Sequence, residues 1–141
     1  MTLSKNIQFV FLALALSYSA LIIFFSAQSN LQPPDIGFEL SDKLMHFIEY
    51  FIFSMLWCCA LLRSKPEGMI FGKTWRLFVA CALFAASDEI HQAFVPGRQA
   101  DILDFVADLC GISVGVFVFF CLESQVETVC ERIQSFYKGG T

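Results

Sequence analysis

A chain of 141 residues leaves room for one domain. Its residues are 57% hydrophobic, with 17 Phe, and its mean hydropathy is +0.65, which excludes an ordinary soluble domain. A formal charge of −4 and the lack of any Lys/Arg run exclude a nucleic-acid partner. What remains is a small multi-pass membrane protein, with the lipid bilayer as its first partner.

Residues 7–25 form the first apolar run, broken by Gln8, Ser17, Tyr18 and Ser19. That length crosses a hydrocarbon core of about 30 Å as a helix. Lys5 precedes it as in a signal peptide, but the run is long for one and Phe25/Ala27 do not fit the small-x-small cleavage rule, so it reads as an uncleaved span. Gln32-Pro33-Pro34-Asp35 then breaks the helix. Ser41 suits an N-cap and Asp42 the first helical turn, which places the second span over residues 44–62. Arg63 to Arg76 reads as a basic loop broken by Pro66 and Gly68. The third span covers residues 77–95, with Trp75 and Arg76 as interfacial anchors. Pro96-Gly97 turns the chain into the fourth span, residues 102–122, where Gly111 and Gly115 form a GxxxG pair suited to close helix contact. Residues 123–141 read as an amphipathic cytoplasmic tail, with Val126, Val129, Cys130 and Ile133 on one face. Cys58, Cys59, Cys81, Cys110 and Cys121 lie in apolar runs without zinc or redox spacing and read as buried, inert thiols. The fold class is therefore all-α, a bundle of four transmembrane helices.

Lys and Arg set the orientation. Lys5, Arg63, Lys65, Lys73, Arg76, Arg132 and Lys138 fall on one side, against Lys43 and Arg98 on the other. This split puts both termini in the cytoplasm and the polar clusters on the outer side.

Those clusters are the functional signal, because ionisable groups in membrane spans are costly and mark sites. Asp42, His46 and Glu49 share a helix face at i, i+4 and i+7. Asp88, His91 and Gln92 stand at i, i+3 and i+4, and Asp101, Asp104 and Asp108 repeat the pattern. Three polar stripes facing lipid would be untenable, so they should face one another, with His46 approaching Glu89. The carboxylates outnumber the cations near them, so some must hold protons or share a bound cation.

Several chemistries fit. A hydrogen-bonded plug that only holds helices together is the plainest. His46 and His91 with carboxylates have ligand types suited to zinc, without an HExxH-type spacing. No nucleophile elbow surrounds Ser41 or Ser87, which argues against a Ser-His-Asp triad. His91, Glu89 and Asp88 are candidate acid-base groups. Arg98 suits a phosphate or carboxylate of a ligand, or else pairs Asp101 or Asp104.

The segments SDKLMHFIEYFIFSML and SDEIHQAFVPGRQADILDFVADLCGISVG together resemble the VanZ-like family of membrane proteins. The resemblance covers spans two to four, and residues 26–29 resemble the end of the family's first span. It implies motif positions at Asp42, Lys43, His46, Tyr50, Asp88, Glu89, Gln92, Pro96, Gly97, Arg98, Asp104 and Gly111. One departure is Asp108, where the family usually carries Asn. Family members are linked to teicoplanin resistance, and an outward-facing site in the bacterial inner membrane would account for that link. The expected binding residues are Asp42, Lys43, His46, Tyr50, Gln92, Arg98 and Asp104, with Glu49 and Asp108 added from the helical stripes, and the expected ligand is a lipid-linked envelope precursor or an amphipathic glycopeptide. The alternative is a membrane-embedded hydrolase or transferase acting on such a lipid-linked substrate through His/carboxylate acid-base chemistry. Neither reading names a cofactor or a metal.

Overall fold

The computed structural model describes the backbone of residues 5–29, 41–61, 70–98 and 100–138, with side chains over 7–29, 41–61, 72–98 and 100–123. The expected Pro33-Pro34 loop, the breakers Pro66 and Gly68, and the side chains of the tail face lie outside the described residues. Four helices carry the fold: α1 (Lys5–Ser26), α2 (Ser41–Leu61), α3 (Ile70–Gln92) and α4 (Ile102–Lys138). Among the described residues all regular structure is helical.

Three helices are long and apolar enough to cross a membrane: Ile7–Ser26, Ser41–Leu61 and Ile102–Glu123. α3 is more mixed, with Lys73 and Arg76 in its first turns and Asp88 and Glu89 near its end. It still runs the length of the bundle, back between the ends of its neighbours. Lys43 and His46 of α2 meet Asp104 and Asp108 of α4, so these two helices run parallel. The chain must return between them, and α3 carries it back, bringing Glu89 to the start of α2. α1 is antiparallel to α2: the Gln8 amide donates to Ala60 O at 3.1 Å near one end, and Trp57 Nε1 to Ser19 Oγ at 3.3 Å further along.

α2 and α4 pack closest, and the GxxxG pair is the cause. A Cβ on Gly111 would strike Phe47 O and come within 3.0 Å of Phe51 N; one on Gly115 would strike Ser54 Oγ and come within 2.8 Å of Phe51 O. The core beside this seam is aromatic, with Phe53 and Phe84 stacked at 4.7 Å and Tyr50 edge-on to Phe53 at 5.6 Å. Outward, apolar side chains stay uncovered, as a bilayer-facing surface requires: Phe9 and Phe117 are each 67% exposed.

Three expectations need correction. α3 begins at Ile70 and ends at Gln92, so part of the expected basic loop is helical and the third span stops short of Val95. It stops because Pro96 bars its predecessor from helix; Val95 N donates to Gln92 O at 3.0 Å, and Gly97 turns at φ +84°. The Gly97 site also admits no side chain, since a Cβ would lie 2.7 Å from Ser29 O. Second, the tail from residue 123 is helical as expected but is not a separate element: α4 runs unbroken through it to Lys138, because that stretch holds no Pro or Gly. Third, only Cys58 and Cys81 are buried; Cys59 is half-buried, and Cys110 and Cys121 are exposed on α4.

Candidate functional site

The parallel and antiparallel order gathers four chain segments at one end of the bundle: the end of α1, the start of α2, the end of α3 with its turn, and the start of α4. Almost every polar residue of both sequence clusters converges there.

The start of α4 is fixed by Asp101, whose Oδ1 accepts the Leu103 N–H at 2.9 Å and whose carbonyl accepts that of Asp104 at 3.0 Å. This cap aims two carboxylates at α2. The Lys43 ammonium donates to Asp101 Oδ2 at 2.7 Å and to Asp104 Oδ1, and lies 3.5 Å from Asp42 Oδ2. Asp101 lies outside the spanning segment, and its hydrogen bond from Lys43, seconded by that from Leu103 N–H, holds its carboxyl below the ordinary 3.8.

One turn further along, His46 Nδ1 lies 3.0 Å from Asp108 Oδ1 and 3.9 Å from Glu89 Oε1. All three are buried, Asp108 completely. Their bonding is incomplete: both Glu89 oxygens and Asp108 Oδ2 are buried without a hydrogen-bond partner, as is the Tyr50 hydroxyl. Glu49 is half-buried beside them on α2. Two groups have donor atoms within 4.8 Å of one another and could hold a metal ion: Asp42, His46 and Asp104; and His46, Glu89 and Asp108.

A separate network runs along α3. Gln92 Nε2 donates to Asp88 Oδ2 at 3.1 Å, and its Oε1 accepts from Arg98 Nη1 at 3.4 Å. Arg98 also donates through Nη2 to Phe25 O at 3.1 Å and through Nε to Gln28 O at 3.4 Å. The guanidinium thus caps the C-terminal end of α1, sharing Phe25 O with the Gln28 N–H at 3.1 Å. It pairs neither Asp101 nor Asp104, both of which Lys43 holds.

The site therefore unites Asp42, Lys43, His46, Glu89, Asp104 and Asp108, with Asp88, Gln92 and Arg98 alongside. His91 is the exception: it is exposed and stands apart from these contacts. At about 100° per residue, Asp88, Gln92 and Glu89 span roughly 0 to 100° around α3, while His91 falls about 60° on the far side of Asp88. That phase sets His91 outside the gathered cluster, so the structure brings together neither a His91–His46 pair nor His91 with Glu89 and Asp108. What sequence reasoning missed is the role of α1: backbone carbonyls leave no side-chain signature, and only the unsatisfied end of a helix could have pointed to them.

A family model described as VanZ/LLP1 matches residues 3–123. No curated protein and no solved structure matches the chain.

Proposed function

The chain belongs to the VanZ/LLP1 family, and from that premise we propose that it is a multi-pass protein of the bacterial cytoplasmic membrane that binds the headgroup of a lipid-linked or amphipathic cell-envelope molecule at an outward-facing polar end. One observation carries the reading: a buried polar cluster with unsatisfied acceptors lies at the same level as bare apolar side chains. Phe94 is 82% exposed, Ile102 72% and Ile90 62%, each within a turn of a cluster residue. An amphipathic ligand can lay its tail along that apolar belt while its head meets the cluster. Orphaned carboxylate oxygens call for donors, so hydroxyl- or ammonium-bearing headgroups fit better than bare phosphates. Such binding would contribute to teicoplanin resistance by engaging an envelope precursor or the glycopeptide itself.

Native mass spectrometry of the protein released from its own membranes tests this. A bound lipid-linked or glycosylated species, lost in Glu89→Gln and Asp108→Asn, is the expected result; wild-type protein carrying only bulk phospholipid overturns it. The outward orientation rests on the seven-to-two Lys/Arg split. A single Cys at position 98 in a Cys-free background should react with an impermeant reagent from outside the cell, and labelling from the cytoplasm alone refutes it.

The enzymatic alternative has its own supporting observation, the 3.0 Å His46–Asp108 contact with Glu89 at 3.9 Å. A carboxylate orienting an imidazole is the arrangement of an acid-base pair. In this reading His46 takes the place that His91 does not fill, and turnover of a lipid-linked substrate by purified protein distinguishes it from binding alone.

A further inference from the structure

We infer that His46, Glu89 and Asp108 form a binding site for a divalent transition-metal ion, with zinc the best-suited member. The three ligands come from three helices, α2, α3 and α4, and their donor atoms lie within 4.8 Å of one another. Zinc bonds of about 2.0–2.1 Å at tetrahedral angles put ligand atoms about 3.3 Å apart. The observed separations from His46 Nδ1, 3.0 Å to Asp108 and 3.9 Å to Glu89, straddle that value.

The independent observation is the state of the carboxylates. The Glu89 side chain is only 10% exposed, it faces His46, and neither of its oxygens has a hydrogen-bond partner of good geometry, the Asp101 backbone N–H lying near without meeting it; Asp108 Oδ2 has none either. A single imidazole N–H cannot satisfy them all. One divalent ion supplies two positive charges to two carboxylates and needs no further donor. The neighbouring Asp42, His46 and Asp104 group is less suited, because the Lys43 ammonium already rests on Asp104. An imidazole with two carboxylates selects zinc-like ions over magnesium or calcium, which prefer all-oxygen shells. Three protein ligands also leave a fourth position for water or a ligand oxygen.

With the ion in place a headgroup oxygen would meet the metal rather than these carboxylates, but the inference does not need the headgroup reading, and metal alone is the probe. Full-length protein in detergent is stripped with EDTA and titrated with zinc, and binding is followed by metal content and thermal unfolding. The expected result is about one zinc per chain with a raised Tm, unaffected by excess magnesium. Glu89→Gln and Asp108→Asn should each weaken binding at least roughly tenfold, while His91→Ala leaves it unchanged. Cobalt added to wild-type protein gives a readout that needs no variant. Visible d–d bands without a near-ultraviolet thiolate band are expected. Absence of stoichiometric zinc, a thiolate signature, or zinc affinity unaltered in a folded Glu89→Gln protein each overturns the site.

Discussion

The Lys43 ammonium rests against the nearly buried carboxylate of Asp104, so one ion pair ties the start of α2 to the start of α4. Asp101 shares the same ammonium at 2.7 Å from its more exposed position. Lys43→Met should cost about 1–3 kcal/mol, since it leaves a carboxylate desolvated without its donor while water still reaches Asp101. Asp104→Asn in the same chain should restore much of the loss, because the amide carries no charge to compensate. Thermal unfolding of the two single variants and the double variant measures the coupling. Additive effects would show that the contact contributes nothing.

Acid should weaken the same corner. The folded-state carboxyl of Asp101 is held below its ordinary value of 3.8, chiefly by the Lys43 hydrogen bond. A depressed carboxyl contributes stability that is fully present above the unfolded value and lost as pH falls through the folded one. Asp101→Asn keeps an acceptor for the Leu103 N–H and removes only the charge. Wild type should therefore be more stable than Asp101→Asn at neutral pH, and the gap should close below 3.8. A gap that is constant on acidification sinks the assignment.

The α2–α4 seam makes a ranked prediction. Gly111 faces backbone atoms of Phe47 and Phe51, which cannot yield, whereas Gly115 faces the Ser54 hydroxyl as well as Phe51 O. Gly111→Ala should lower stability by about 1–3 kcal/mol, and Gly115→Ala by less if Ser54 changes rotamer. Nothing lies within 4 Å of a Cβ on Gly72, so Gly72→Ala should be neutral or gain about 0.5–1 kcal/mol from the lower entropy of alanine. Denaturation in detergent gives all three, and a reversed order of Gly111 and Gly72 would refute the close seam.

Much of this architecture was legible in the chain, for particular reasons. Long apolar runs located α1, α2 and α4, and Pro96-Gly97 located the turn, because hydropathy and backbone restriction act locally. Asp42, His46, Asp104 and Asp108 could be placed on inward faces because helical phase is simple arithmetic. The same arithmetic misled at His91, where the stripe was centred on Asp88 while the buried face is centred between Asp88 and Glu89. The continuation of α4 was readable too, since no breaker stands between Glu123 and Lys138. Pairings between helices were not legible. That Lys43 would take Asp101 and Asp104, and leave Glu89 without a donor, depends on how the helices are rotated and how far each is shifted along its neighbour, which no local rule encodes.

Arg98 carries the last prediction, because its guanidinium reaches three acceptors on two helix ends. It donates to Phe25 O, Gln28 O and Gln92 Oε1, linking the end of α1 to the end of α3. A lysine ammonium is a compact point charge and cannot span those acceptors at once. Arg98→Lys should therefore lose about 1 kcal/mol and Arg98→Ala about 2, the partial exposure of the contacts keeping both modest. Thermal unfolding in detergent beside teicoplanin susceptibility of cells carrying the same variants separates a strut from a ligand contact. On the proposed resistance role, a strut at Arg98 predicts that cells carrying Arg98→Lys, grown and assayed well below its Tm, match wild type in teicoplanin susceptibility. A folded Arg98→Lys protein that has lost protection would instead place the guanidinium on the ligand, as an anion clamp that lysine cannot replace.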